Sequence, residues 1–155
     1  MKLEIIAASS LWRQRPKVRS KARTAIRAAG DLSGVALHPK AEAALHLADD
    51  ARLRELNAQW RGKDAPTNVL SFPLAQAGRV ADAPLLGDIF VSFQTLEAEA
   101  ERQGKSFDDH FIHLTVHGFL HLLGFDHETV KQARQMEGLE VRILAKLDVA
   151  DPYRD

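Results

Sequence analysis

Three histidines in the C-terminal third of the chain have the spacing of a metal site. His117 and His121 are four residues apart, so on a helix they lie on nearly the same face, one turn above the other. His113 continues this stripe, but it is about 12 Å from His121 along a helix axis, whereas ligands of one zinc ion each lie about 2 Å from it. A third ligand must therefore come from a part of the chain that folds back. Gly124 can adopt the left-handed conformation that ends a helix and reverses the chain, which would bring His127 to the ion.

The pattern His-x3-His-x2-Gly-x2-His predicts one zinc ion per chain, held by His117, His121 and His127. Three imidazole ligands and no cysteine leave a fourth position open to water, which is typical of catalytic zinc sites. Zinc held by neutral imidazoles keeps its positive charge, so it can activate water and polarise a phosphoryl oxygen. The alternative is that these histidines only cap helix ends or fill space in the fold. A chain with 7 histidines in 155 residues can contain such a spacing by chance.

The composition is that of a globular protein, and we expect a single domain over residues 1–155. Apolar residues make up 45% and charged residues 27% of the chain, which is ordinary for this class. The absence of cysteine excludes disulfides and thiolate zinc ligands and fits a reducing compartment. No apolar run approaches the roughly 20 residues of a membrane helix, and the N-terminal residues lack the pattern of a signal peptide. We therefore expect a cytoplasmic protein without a membrane partner.

The chain has no net charge, but its basic residues concentrate in one segment. Residues 11–30 contain no acid and seven basic residues: Arg13, Arg15, Lys17, Arg19, Lys21, Arg23 and Arg27. On a helix, Arg19, Arg23 and Arg27 would line one side at four-residue spacing, and such a cluster can bind the phosphates of a nucleic acid. The alternative is a solvated helix face whose charges pair with acids elsewhere in the fold.

Apolar periodicity and turn residues predict four strands and five helices. The predicted strands cover residues 3–8, 35–37, 69–72 and 85–91. The predicted helices cover residues 16–29, 39–60, 92–103, 107–123 and 128–147. Because strands and helices are interspersed without strict alternation, we expect an α+β fold with a small mixed β-sheet. The helix over 107–123 is apolar nearly all round, so we expect it to be buried, with the metal at the edge of the core.

Three segments of the chain resemble the YbeY family of bacterial single-domain endoribonucleases, which act in ribosomal RNA maturation. They are Asn57-x2-Trp60-Arg61-x5-Thr67-Asn68-Val-Leu-Ser-Phe-Pro73, Gly87-Asp88-Ile89, and His117-Gly-x-Leu-His121-Leu-x-Gly124-x-Asp126-His127. The resemblance runs in the same order through most of the chain. It implies an α+β fold, His117, His121 and His127 as the zinc ligands, and Arg61 as the functional arginine of the metal cleft. Arg61 and His117 would then be the catalytic residues.

The resemblance also implies a substrate and partners. The protein would be a single-strand-specific, metal-dependent endoribonuclease that acts in ribosomal RNA processing, at the 3′ end of 16S rRNA, and in ribosome quality control. Its partners would be ribosomal RNA and the small ribosomal subunit, with Arg19, Arg23 and Arg27 as an additional RNA contact.

The residues around these motifs leave some roles open. Arg61 follows Trp60 and precedes a turn, where a planar guanidinium could bind a phosphate bidentately, or where it could simply be an exposed arginine at a helix end. Asp126 could orient a ligand histidine or cap the turn. Asn68 stands where the resemblance predicts aspartate. Asparagine keeps an acceptor oxygen at this position but loses the negative charge.

Two other functions compete with the nuclease. The histidine spacing is also that of the metzincin peptidases, in which glutamate follows the first histidine and serves as general base. Gly118 occupies that position here, and loss of a general base typically costs about 10²–10⁴ in rate, which argues against a peptidase. The other alternative is a non-catalytic ribosome-assembly factor whose metal is structural.

Overall fold

The computed structural model describes residues 1–154, which contain four strands and five α-helices. The strands are β1 (Lys2–Ala7), β2 (Glu42–Ala48), β3 (Val69–Pro73) and β4 (Leu85–Ser92). The α-helices are α1 (Val18–Leu32), α2 (Asp50–Arg61), α3 (Phe93–Gln103), α4 (Phe107–Leu122) and α5 (Val130–Lys146). None of the helices within this range has the length and apolar character needed to cross a membrane.

The four strands form one mixed sheet in the order β1-β2-β4-β3. β2 pairs in parallel with both β1 and β4, whereas β3 pairs with β4 antiparallel. Parallel neighbours need a crossover connection, which α1 provides between β1 and β2. The predicted α+β fold, with a small mixed sheet of four strands and five helices, is therefore confirmed. β1 and β3 lie at the two edges of this sheet.

The prediction was wrong between residues 35 and 60. Residues 35–37 form no strand, and residues 39–60 do not form one helix, because they contain β2, the helix cap Asp49 and then α2. β2 has the sequence Glu-Ala-Ala-Leu-His-Leu-Ala, in which alanine and leucine favour a helix. Pairing with β1 and β4 overrides that preference. The strand buries Ala43, Leu45 and Leu47 on one face at a period of two.

Helix α4 is the central helix of the core. It packs against β3 and β4 and is flanked by α1, α3 and α5. Its apolar side chains point to all of these neighbours, so Phe111, Val116, Phe119 and Leu120 are fully buried. This burial matches the expectation of a helix that is apolar nearly all round, and it fixes the histidines of α4 relative to the sheet.

The contact of α4 with the sheet is very close at Gly118. A Cβ atom at this position would lie 2.8 Å from Cγ2 of Ile89 and 3.1 Å from Oγ of Ser71. Ser71 also donates a hydrogen bond of 2.9 Å from its hydroxyl to the carbonyl oxygen of Gly118. Position 118 therefore faces the sheet and has no room for a side chain.

Asn68 connects the start of β3 to α3 and α4. Its Nδ2 donates to Oε1 of Glu99 at 3.0 Å, and its Oδ1 accepts from the backbone N–H of Val69 at 2.7 Å. Nε2 of His110 lies 2.8 Å from the same Glu99 oxygen. Burial alone would raise the pKa of Glu99, but the hydrogen bonds from His110 and Asn68 outweigh it and lower that pKa. Because its partner here is a carboxylate, asparagine suits position 68 better than aspartate would.

We expect Asn68→Asp to lower the stability at neutral pH by about 1–3 kcal/mol, because it replaces a donor to Glu99 with a second negative charge. The like charges would raise the pKa of the pair above its value in the unfolded chain. The variant should therefore regain stability, relative to the wild type, as the pH falls through that raised pKa. Thermal unfolding at pH 7 and about pH 5 measures both effects. Asn68→Ala is the control, since it removes the donor without adding charge, and equal unfolding temperatures for Asn68→Asp and the wild type would contradict the prediction.

Candidate metal centre

His117, His121 and His127 meet at the C-terminal end of α4. His117 and His121 lie in its last two turns, and His127 follows the end of the helix. One ring nitrogen from each histidine lies within 4.8 Å of the other two. The Nε2 atoms of His117 and His121 are 3.1 Å apart. The three side chains that the spacing singled out as ligands are thus in one cluster.

A glycine turn brings His127 to this cluster. Gly124 has a φ of +98°, in the region that favours glycine, and its N–H donates to the carbonyl of His121 at 3.1 Å. The Phe125 N–H donates to the carbonyl of Leu120, also at 3.1 Å. Asp126 accepts a hydrogen bond of 2.8 Å from the backbone N–H of His127, so its carboxylate caps the turn.

The buried carboxylate of Glu140, on α5, fixes the ring of His117. Its Oε1 lies 2.5 Å from Nδ1 of His117, and its other oxygen accepts a hydrogen bond from the Tyr153 hydroxyl. Nδ1 of His117 is thereby occupied, and Nε2 is the nitrogen that faces the cluster. His113 lies outside the cluster, with its Nε2 at 3.9 Å from Glu140 and 3.4 Å from the Tyr153 oxygen. Burial by itself would raise the pKa of Glu140, but hydrogen bonds from His113, His117 and Tyr153 lower it to about 2.

Sequence reasoning missed Glu140 and Tyr153 because both are far from the histidine motif in the chain. One signal for Glu140 was available. It is the one charged side chain among the buried residues of α5, where Met136, Leu139, Ile143 and Leu144 form the apolar stripe. A charged residue in such a stripe requires a partner, because an unpaired buried charge is costly.

The chemistry of these three side chains fits a zinc ion. Burial, together with the neighbouring His117 and His127, lowers the pKa of His121 to about 4, so this imidazole is neutral at pH 7 and can donate a lone pair. The separation of 3.1 Å between the Nε2 atoms of His117 and His121 suits two ligands of one ion with bonds of about 2.0–2.1 Å. The Nε2 atoms of His117 and His121 are this close to each other, and a ring nitrogen of His127 lies beside them, so all three lone pairs can be directed at one ion.

The histidine cluster opens into a cleft of about 660 Å³. Besides the histidines, the cleft is lined by Asn57, Arg61, Lys63, Ala65, Pro66, Thr67, Val69, Leu70, Ser71, Pro73, Asp126 and Glu128. Arg61 is the last residue of α2, which ends at Gly62 with a φ of +68°. Nδ2 of Asn57 donates to the carbonyl of Ala65 at 2.9 Å and so holds the loop after α2 in place. The structure thus places Arg61 and a second cation, Lys63, which sequence reasoning missed, in the same cleft as the histidines.

Arg19 and Arg23 of α1 lie at the opposite edge of the sheet from this cleft. Arg19 and Arg23 donate to the carbonyls of Ile5 and Leu3 in β1, at 3.2 and 2.9 Å. β1 is one edge of the sheet, whereas the cleft is beside β3 at the other edge. The partners of Arg19 and Arg23 are thus backbone carbonyls. Arg15 and Lys21 of the same segment pair with Glu97 and Asp108 at 3.8 and 4.0 Å, as the alternative hypothesis expected.

The model of the family described as Endoribonuclease YbeY matches residues 9–148. The chain belongs to the YbeY family. A protein named Endoribonuclease YbeY from Bradyrhizobium sp. (strain BTAi1 / ATCC BAA-1182) is 47% identical over 98% of this chain and 92% of its own length. A second with that name, from Rhodopseudomonas palustris (strain BisA53), is 48% identical over 98% of this chain and 90% of its own. Both the motifs and the whole chain therefore agree with this family.

A solved structure agrees with the fold. The solution structure of a protein from Thermotoga maritima superimposes with a TM-score of 0.55 and covers 99% of each chain. Its sequence is 22% identical to this one, so the likeness concerns the arrangement of strands and helices.

We expect His127→Ala to lower the zinc content well below one ion per chain, because two imidazoles remain. Elemental analysis of protein purified without added metal measures this content. His113→Ala is the matched control, since this histidine lies on the same helix and outside the cluster, and its zinc content should stay nearly unchanged. The reverse result would show that the ligand assignment is wrong.

Proposed function

We propose that this protein is a zinc-dependent endoribonuclease that cleaves single-stranded RNA, with His117, His121 and His127 as the zinc ligands. The observation that carries the proposal is the cluster of three histidines in a cleft that also contains Arg61. Membership of the YbeY family, whose members are named as endoribonucleases, supports the choice of RNA as the substrate.

We further propose ribosomal RNA of the small subunit as the substrate, with processing of the 16S rRNA 3′ end and ribosome quality control as the biological role. This part rests on the family resemblance carried by residues 57–73, 87–89 and 117–127. A cytoplasmic location fits such a substrate and fits a chain without cysteine.

The residues of the cleft have distinct roles in this proposal. Zinc, when bound, supplies a Lewis acid that lowers the pKa of water and polarises a phosphoryl oxygen. The carboxylate of Glu140 forms a hydrogen bond with Nδ1 of His117 and so keeps that imidazole ring in the position of a ligand. Arg61 presents a planar guanidinium that can hold two oxygens of one phosphate, and Lys63 adds a second positive charge. Positioning and charge stabilisation of this kind account for much of the catalysis of phosphoryl transfer.

A peptidase is disfavoured by the packing of α4. The general base of the metzincins would stand at position 118, and a Cβ atom there would already collide with Ile89. A glutamate side chain at this position would require Ile89 to move or the helix to shift away from the sheet. The shared histidine spacing therefore reflects the same ligand geometry and not the same reaction.

We expect Arg61→Ala to keep about one zinc per chain and to cleave single-stranded RNA at least about 10²-fold more slowly, because it loses a charge that stabilises the transition state. Initial rates on a labelled single-stranded RNA, together with zinc content, measure both quantities. Arg54→Ala is the matched control, since Arg54 is on the same helix and forms an ion pair with Asp64 at 2.7 Å. Normal turnover of the Arg61 variant would remove this residue from the mechanism.

The same assay separates the nuclease from an assembly factor with a structural metal. A His117→Ala/His121→Ala variant should lose cleavage, and equal cleavage by variant and wild type would point to a contaminating nuclease. If neither cleaves and both bind small-subunit particles, the assembly factor is the correct function.

Arg19, Arg23 and Arg27 remain our prediction for a second RNA-binding surface, because a guanidinium has five N–H donors and one bond to a carbonyl leaves others for a phosphate. We expect an Arg19→Gln/Arg23→Gln/Arg27→Gln variant to bind RNA with a weaker dependence on salt. The slope of the logarithm of the binding constant against the logarithm of the salt concentration should become less negative by about 0.7 for each phosphate that the variant no longer neutralises. Glutamine retains an N–H donor for the β1 carbonyls. Arg52→Gln/Arg54→Gln on α2 is the control, and an unchanged salt slope for the α1 variant would show that this helix does not bind phosphates.

A further inference from the structure

Trp60 is an exposed aromatic residue on the inward stripe of α2. Leu53, Leu56 and Asn57 occupy the same stripe and are buried, whereas Trp60 is 63% exposed. The ring packs edge-on against Phe72 of β3, with 6.2 Å between the ring centroids. β3 is an edge strand, so no further strand continues the sheet beyond Phe72 to cover the indole.

The surroundings of Trp60 join it to the cleft. Its neighbour Arg61 lines the cleft, and Phe72 is on the same face of β3 as Leu70, which also lines it. Trp60 therefore lies at the rim, next to the two cations Arg61 and Lys63. A single exposed apolar residue is common on protein surfaces, but this one adjoins a cleft that contains two cations and the candidate metal centre.

The backbone that carries the indole ring is held in place. α2 ends immediately after Arg61 at Gly62, and Asn57 ties the following loop to the helix through the Ala65 carbonyl. The edge-on contact with Phe72 supports one side of the ring, while the other remains open to solvent. A rigid aromatic side chain of this kind loses little conformational entropy when a ligand stacks on it.

We propose that Trp60 stacks on an unpaired nucleobase of the RNA whose phosphate is bound by Arg61, and that this contact selects single strands. The inference rests on the proposed function, since it assigns a substrate contact to the same cleft. Bases in a duplex are stacked and paired on their neighbours, so they cannot present a free face to the indole. In a single strand the base can turn out and stack, a contact that tolerates any sequence because every base has a π-face.

Intrinsic fluorescence tests the contact directly, because the chain has two tryptophans and Trp12 is only 4% exposed. We expect a single-stranded 2′-O-methyl oligouridine, which resists cleavage, to quench the emission of Trp60. The same strand annealed to its complement should quench much less, and so should an abasic strand with the same number of phosphates. Equal quenching by the abasic strand would overturn the proposal.

Binding by variants gives an independent test. We expect Trp60→Leu to bind the single-stranded oligouridine about tenfold more weakly, Trp60→Phe to recover most of the affinity, and neither change to alter binding of the abasic strand. Leu32→Ala, at the exposed end of α1, is the control. Zinc content and the unfolding temperature show whether each variant is folded.

The outcomes separate this inference from the proposed function. Zinc-dependent cleavage by the wild type with unchanged affinity in Trp60→Leu would overturn the role of Trp60 and leave the nuclease intact. Absence of cleavage and of RNA binding by the wild type would contradict both. If the variant instead keeps RNA affinity and loses binding to small-subunit proteins, Trp60 contacts a protein and the proposal is wrong.

Discussion

The buried hydrogen bond between Glu140 and His117 is the interaction on which the candidate metal centre depends. It joins α5 to α4 at 2.5 Å, in a place where the carboxylate has no contact with solvent. A buried carboxylate is stable only when its oxygens are satisfied, and here His117 and Tyr153 satisfy them. The free nitrogen of His117 is then directed at His121 and His127 by the fold itself. The position of one imidazole thus depends on three separate parts of the chain.

The packing of α4 against the sheet determines which chemistry the histidine spacing can support. Because Gly118 faces Ile89 and Ser71, the helix can lie close to β3 and β4. The same close packing leaves the residue after the first histidine without a side chain. The cleft obtains its cations from another part of the chain, the end of α2 and the loop after it, where Arg61 and Lys63 lie. The guanidinium and the ammonium group, in a cleft that also contains the carboxylates of Asp126 and Glu128, can bind the oxygens of a phosphate.

The parts of this site that follow from local rules could be predicted from the sequence. The spacing of His117 and His121 fixes their face of the helix, and a glycine at 124 permits the reversal that brings His127 back. Glu140 could not be placed in this way, because its contact with His117 spans 23 residues and depends on how two helices pack. β2 was misassigned for a related reason: its alanines and leucines favour a helix locally, and only its two neighbouring strands make it extended.

The bonds from Arg19 and Arg23 to the β1 carbonyls have a consequence for self-association. An edge strand exposes unpaired backbone groups that can template the addition of a strand from another molecule. In β1, the outward carbonyls of Leu3 and Ile5 are already occupied by guanidinium groups, which also place positive charge along that edge. Two copies of the chain that approached edge to edge would have to break these bonds and bring like charges together. The basic helix therefore protects the β1 edge of the sheet from strand addition, whatever else it binds.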